Sequence, residues 1–164
     1  MIHHVTGNLL TADVEAHVNA VNCVGVMGKG IALQFRQAYP DDYFQAFRHA
    51  CQSGDVAPGK VHVWETGHLV NPRFIINFPT KRDWREKSKL DDIDTGLLSL
   101  NAAILEYGIH GIAIPPLGCG HGGLDWPVVK ALIERRLRGI KGVEIHVFEP
   151  AGTSASNAMS GNTK

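Results

Sequence analysis

Cysteine, surplus charge of either sign and long apolar runs are all scarce in this 164-residue chain. Its three cysteines, Cys23, Cys51 and Cys119, are widely spaced and form no C-x-x-C pair, so neither a disulfide framework nor a zinc site is supported. A reducing cytoplasm is the simplest setting for such thiols. The nine histidines include the adjacent His3 and His4 but show no H-E-x-x-H or other ligand spacing, and no metal site is expected. Sixteen Lys and Arg balance sixteen Asp and Glu. Bulk charge therefore does not hold this protein to nucleic acid, although a local basic patch remains open. No apolar run approaches the ~20 residues of a membrane span. The opening residues carry no signal-peptide pattern, and no membrane partner is expected.

Glycine is abundant, with 18 residues, and 44% of the chain is hydrophobic. The length suits one domain, expected over residues 1–150, with enough chain to bury a core without staples. Residues 151–164 are small, polar and patternless, and read as a disordered tail. Its Ser156-Asn157-Ala158-Met159 stretch has the look of sequence added in cloning.

Strand and helix signals alternate along the chain. Short strands are expected at Ile2–Val5 and His17–Asn22, with a brief pairing at Leu9-Leu10 between them. In the second strand, Val18, Ala20 and Asn22 share one face, and His17, Asn19 and Val21 the other. A helix follows through Ile31, Leu33, Phe35 and Tyr39, stopped by Pro40; another runs from Asp41 to Ser53, with Gly54 as its stop. Strands at Lys60–Glu65 and Phe74–Phe78 precede a charged loop, Thr80–Lys89. Leu90, Ile93, Leu97, Leu98, Ile104 and Leu105 are expected on one face of a long helix. A buried strand at Ile112–Ile114, a helix from Asp125 with Pro127 in its first turn, and a strand at Val143–Phe148 complete the order. The pattern gives an α/β sandwich, with helices on both faces of a mixed central sheet.

Two glycine-rich segments, Gly25–Gly30 and Gly118–Gly123, each follow a strand and precede a helix. In that setting, loop amides and a helix N-terminus face one space, and both favour an anion. Two such loops at neighbouring strand ends suit a diphosphate held between them. The first is not a Walker A loop, because Lys29 is followed by Gly30 and not by Ser or Thr. The second satisfies G-x-G-x-x-G, but only one further strand reads downstream of it, where a dinucleotide fold needs several.

The strings Asn19-Ala20-Val21-Asn22, Gly28-Lys29-Gly30-Ile31-Ala32 and Pro116-Leu117-Gly118-Cys119-Gly120 resemble those of the macrodomain family of ADP-ribose binders. Val21–Phe35, Ile76–Lys81 and Gly122–Trp126 narrow the resemblance to its DarG-type branch, antitoxins that oppose DNA-modifying DarT-type ADP-ribosyltransferases. The resemblance covers roughly residues 1–150, in order. It implies a three-layer α/β/α macrodomain fold, and a chain corresponding to the N-terminal domain of such antitoxins.

The resemblance also implies an ADP-ribose site built from Asn8, Leu9, Asn22, Gly28, Lys29, Gly30, Ile31, Thr80, Leu117, Gly118, Cys119, Gly120, His121, Gly122, Gly123 and Leu124. Asn8 stands where an acidic residue binds the adenine amino group in the family, and its carbonyl could take that bond. Asn22 matches the asparagine that hydrogen-bonds the distal ribose. Lys81 matches the lysine that acts at the distal anomeric carbon, its pKa lowered by desolvation, by Arg82 and by Lys29. His121 is a second acid–base candidate. Asp125, displaced from the family's aspartate spacing, reads better as a helix cap. Cys119 reads as packing. Arg82, Trp84 and Arg85, in a loop with five basic residues in nine, are candidate DNA contacts.

The expected activity is removal of ADP-ribose from thymidine in single-stranded DNA, with no metal or redox cofactor. ADP-ribose, the modified DNA and a DarT-type toxin are the implied partners. Two alternatives stand beside it: a non-catalytic ADP-ribose reader, or a hydrolase of O-acyl-ADP-ribose or ADP-ribosylated protein.

Overall fold

The computed structural model describes residues 1–150 and 152. The expected disorder and cloning origin of residues 151–164 fall on the remainder and lie outside the described residues.

Six strands form one sheet: β1 (Ile2–Val5), β2 (Ala16–Val21), β3 (His62–Glu65), β4 (Phe74–Pro79), β5 (Gly111–Ile114) and β6 (Glu144–Phe148), in the order β1-β6-β5-β2-β4-β3. All neighbours run parallel except β3, which pairs antiparallel with β4. The mixed sheet and the α/β layering agree with the sequence reading. Four helices cover it: α1 (Gly30–Ala38), α2 (Asp41–Ser53), α3 (Leu90–Glu106) and α4 (Trp126–Leu137).

Crossovers between parallel strands place helices on both sheet faces, so the central strands are apolar on both sides. On one face, Phe35, Tyr43 and Phe47 of α1 and α2 pack with Val21, Ile75 and Ala113. On the other, Ile93, Leu97 and Leu100 of α3 and Val129 and Ile133 of α4 pack with Val18, Ile76, Phe78, Ile114 and Val147. The two-residue alternation of β2 therefore separates two buried faces.

Several local expectations need correction. Leu9-Leu10 does not pair as a strand; Leu9–Thr11 forms a single 3-10 turn, because Asn8 Oδ1 accepts the Leu10 N–H at 3.0 Å and starts a helical bend. Lys60 precedes β3, held in an isolated bridge with Ala57. In α3, Leu90, Leu98 and Leu105 point to solvent, whereas Leu100 and Ala103 join Ile93, Leu97 and Ile104 in the core. The buried arc follows 93-97-100-104, and residues 98 and 105 sit about 100° round from it.

The outgoing chains of β2 and β5, which are neighbours, turn to opposite faces: β2 leads to α1 and β5 to α4. Such a reversal opens a crevice at the carboxyl ends of the strands.

Candidate ligand and active site

That crevice is a cavity of about 480 Å³, lined by the ends of β2, β4 and β5 and by both glycine loops. The β2–β4 register pairs Val21 with Pro79, so the next residues, Asn22 and Thr80, sit side by side at its floor. Both are buried.

Asn22 shapes the first loop from inside. Its Oδ1 accepts the Val24 and Val26 N–H groups at 3.1 and 3.2 Å, and its Nδ2 donates to the Val26 carbonyl at 2.8 Å. The loop then delivers α1 with Gly30 at φ +64°, a left-handed conformation open to glycine. Among the described residues, the N–H groups of Gly28, Lys29, Gly30, Ile31 and Ala32 donate to no protein acceptor.

The second loop repeats the theme with other supports. Gly120 to Gly122 form a single 3-10 turn, and the N–H groups of Gly118, Gly120 and His121 likewise have no protein acceptor among the described residues. Gly120 has φ +68° and open space around it. A Cβ on Gly122, by contrast, would stand 2.3 Å from Ser88 Oγ, and one on Gly118 would stand 2.7 Å from Leu124 Cδ1. Glycine at 118 and 122 thus lets protein, not ligand, approach the backbone. The loops meet at His121, whose Cδ2 would lie 3.8 Å from a Cβ on Gly30.

Two rows of free amides facing one space, beside the N-terminus of α1, form an anion site that needs few cationic side chains. Lys29 and Lys81 supplement it.

Lys81 lies two residues beyond β4, half-buried in the cavity wall, with Nζ donating to the Trp84 carbonyl at 3.3 Å. Partial burial, then the Lys29 and Lys87 ammonium groups, hold it below the ordinary lysine range. Lys87 takes the place expected of Arg82, whose guanidinium is engaged by Asp92 at 3.0 and 3.1 Å. Arg82 is therefore an ion-paired cation, its side chain about half exposed. Arg85 is similarly clamped to Asp83, at 2.9 and 2.8 Å, and lies 5.3 Å over the Trp84 ring. Trp84 itself is 44% exposed and lines the cavity.

The cavity brings together Asn22, Gly28, Lys29, Gly30, Ile31, Thr80, Lys81, Gly118, Cys119, Gly120, His121 and Gly122. It leaves out Leu117, Gly123 and Leu124. Leu117 is fully buried in the core, Gly123 turns towards Lys87, and Leu124 packs behind Gly118. Asn8 and Leu9 line an adjoining cavity of about 400 Å³, which shares Ile31, Pro115 and Pro116 with the first. Asn8 Oδ1 is already engaged by Leu10, and Nδ2 has no protein partner among the described residues. Burial pushes the Cys119 thiol up to about 11, which disfavours a thiolate nucleophile. Asp125 occupies the cap position of α4 but makes no capping hydrogen bond with its side chain. Among the described residues, no group of three His, Cys, Asp or Glu is placed to hold a metal.

Sequence reasoning missed Ser88, the Arg82–Asp92 pair and a buried chain under the sheet. In that chain Asn19 Nδ2 donates to Tyr43 Oη at 2.8 Å, Tyr43 Oη donates to Asn77 Oδ1 at 2.5 Å, and Asn77 Nδ2 contacts His62 Nδ1 at 3.2 Å. Asparagine, depleted in strands, occurs at the paired positions 19 and 77, and that was the available signal.

Comparison with known proteins agrees with this geometry. Residues 18–133 match the Macro domain family. A DNA ADP-ribosyl glycohydrolase of Thermus aquaticus is 51% identical over 159 residues, which are 97% of this chain and 44% of that protein. The chain thus spans less than half the length of this curated relative. The solved macrodomain of Mycobacterium tuberculosis DarG superposes with a TM-score of 0.89 at 49% identity, covering 92% of this chain and 99% of that one. Thermosipho africanus DarTG in complex with ADP-ribose gives 0.86 at 27% identity, covering 96% and 44%. A crevice walled by two rows of free amides on a six-stranded mixed sheet, and a family match over well over half of the sequence, make this chain a member of the Macro domain family.

Proposed function

We propose that this macrodomain binds ADP-ribose and hydrolyses its bond to thymidine in single-stranded DNA, reversing modification by a DarT-type toxin. The observation that carries the reading is Lys81: an amine with a depressed pKa, in the wall of a cavity whose free amides suit a diphosphate. The likeness to a DNA ADP-ribosyl glycohydrolase supports the substrate. Three free thiols among the described residues fit the cytoplasmic setting expected from the sequence.

In this reading the two loops hold the diphosphate, Asn8 and the adjoining cavity receive the adenine end, and the distal ribose lies over Asn22 beside Lys81. The neutral amine attacks C1″, forming an Nζ–C1″ bond that water later breaks, or takes a ribose hydroxyl proton and passes it to O4″ as the C1″–O4″ bond opens. Either way the C1″–N bond breaks with its electron pair on the thymine nitrogen, which then takes a proton. Water supplies the hydroxyl that ends on C1″. His121, exposed at the meeting of the loops, is within the cavity to move a proton. Trp84 offers its ring to a base of the strand at the cavity mouth.

The test is incubation with a defined ADP-ribosylated oligonucleotide, beside ADP-ribosylated protein and O-acyl-ADP-ribose. Wild type should release ADP-ribose fastest from DNA, and Lys81→Ala should release none while binding free ADP-ribose. Binding without turnover by wild type would make the domain a reader, and faster turnover of protein or acyl substrate would reassign the hydrolase.

A further inference from the structure

The Lys81 side chain has a single hydrogen bond, to the Trp84 carbonyl within the same loop, while its backbone N–H donates to the Val21 carbonyl at 3.4 Å. Where the amine sits therefore depends on the path of residues 81–89, and beyond the Lys81–Val21 bond that path is held at two further points. Near its far end, the Ser88 N–H donates to the Gly122 carbonyl at 2.9 Å, and the Ser88 side chain lies buried against Gly122. Near its start, residue 82 does three things. Its carbonyl accepts the Cys23 N–H at 3.2 Å, tying it to the root of the first glycine loop. Its guanidinium turns back from the cavity. There Nε and Nη2 each take one oxygen of Asp92, in the first turn of α3, at 3.0 and 3.1 Å.

We propose that the Arg82–Asp92 pair is a positioning device for Lys81, an inference that rests on the reading of Lys81 given above. The side chain of Asp92 is 10% exposed and that of Arg82 48%. Water screens the Arg82 side of the pair, which limits what it adds to global stability. Its two-pronged geometry, however, fixes orientation as well as distance. The other ion pair of the loop, Arg85 with Asp83, is internal to it and anchors it to nothing. Arg82 thus joins three pieces of the site: the root of the first loop, the start of α3 and the residue next to the amine. Asp92 also neutralises a guanidinium that would otherwise add to Lys29 and Lys87 around Lys81.

A reacting amine displaced by about 1 Å loses on the order of 10²-fold in rate, while the diphosphate grip of the glycine loops is untouched. Asp92→Asn and Arg82→Gln should therefore each lower kcat on an ADP-ribosylated single-stranded oligonucleotide by about 10- to 100-fold. KM, and the Kd for free ADP-ribose by calorimetry, should stay within about threefold. The double variant should be no slower than the worse single one, because both remove the same interaction. Arg82→Lys, which keeps the charge but loses the fork, should recover only part of the rate.

Unchanged kcat in folded Asp92→Asn and Arg82→Gln, with Lys81→Ala inactive, overturns the inference and leaves Lys81 standing. A fall in kcat matched by equal losses in ADP-ribose affinity and thermal midpoint overturns it too, since the pair would then be merely structural. Wild-type turnover by Lys81→Ala overturns the reading of Lys81 and this inference with it.

Discussion

The two glycine loops look alike as sequence and are built differently. In the first, one side chain does the shaping: Asn22 reaches into the loop, holds three of its backbone groups and leaves the amides of residues 28–32 facing the cavity. In the second, no side chain reaches in. The loop is propped from behind by Ser88, Leu124 and Lys87, which press against Gly122, Gly118 and Gly123. A glycine can mean that a ligand approaches the backbone or that the protein does. At Gly30 and Gly120 the open side faces the cavity, whereas at Gly118 and Gly122 the space is already filled. Loops with the same composition should therefore fail in different ways.

The largest effect is expected on neither loop but on the segment that touches both. Lys81→Ala should reduce release from modified DNA by about 10³-fold or more, with little change in free ADP-ribose affinity, measured by product release and calorimetry on one preparation. Parallel loss of affinity would place Lys81 among the binding groups and erase its distinction from the loops.

Next comes the first loop. Asn22→Ala removes three part-buried hydrogen bonds, each worth about 0.5–1.5 kcal/mol. Because those bonds aim the free amides, ADP-ribose affinity should fall by about tenfold or more. Calorimetric titration that finds wild-type affinity would show that the loop holds its shape without Asn22.

The second loop should answer in stability instead. Gly122→Ala pushes a methyl group into Ser88, an overpacking worth about 1–3 kcal/mol. At roughly 2–4 °C per kcal/mol in a chain of this size, the thermal midpoint should drop by several degrees. Adding Ser88→Gly removes the obstructing atoms and should restore most of the loss. Failure of that rescue would mean that the glycine serves the ligand after all.

The smallest effect is in pH dependence. In the proposed reaction Lys81 must lose its proton, and Lys29 on the first loop and Lys87 behind the second both depress its pKa. Removing either cation raises that pKa, so the rising limb of the pH–rate profile should move to higher pH in Lys29→Gln and less far in Lys87→Gln. A shift to lower pH in either variant would contradict the electrostatic account of Lys81.

Much of this was legible beforehand, for physical reasons that differ by element. Helix α2 was readable because Pro40, Asp41, Asp42 and Gly54 carry start and stop chemistry within the segment itself. The glycine loops were readable because a tight strand-to-helix turn demands glycine locally. Leu98 and Leu105 were misassigned because apolar identity does not say which arc of α3 meets the sheet. Arg82 and Arg85 looked like free cations because their partners, Asp92 and Asp83, are visible only as pairs. Ser88 gave no signal at all, since nothing about a serine reveals that a glycine 34 positions later will lie against it.

Lys81 was singled out only by the family resemblance; by itself, the sequence determined the order of strands and helices and the two glycine-rich turns. Each depends on chemistry carried by neighbouring residues. Only the tertiary structure decided which glycines border open space, which cations are paired and where the Lys81 amine sits. Those properties belong to contacts between segments far apart in the chain, and they exist only once the sheet has brought the strand ends together.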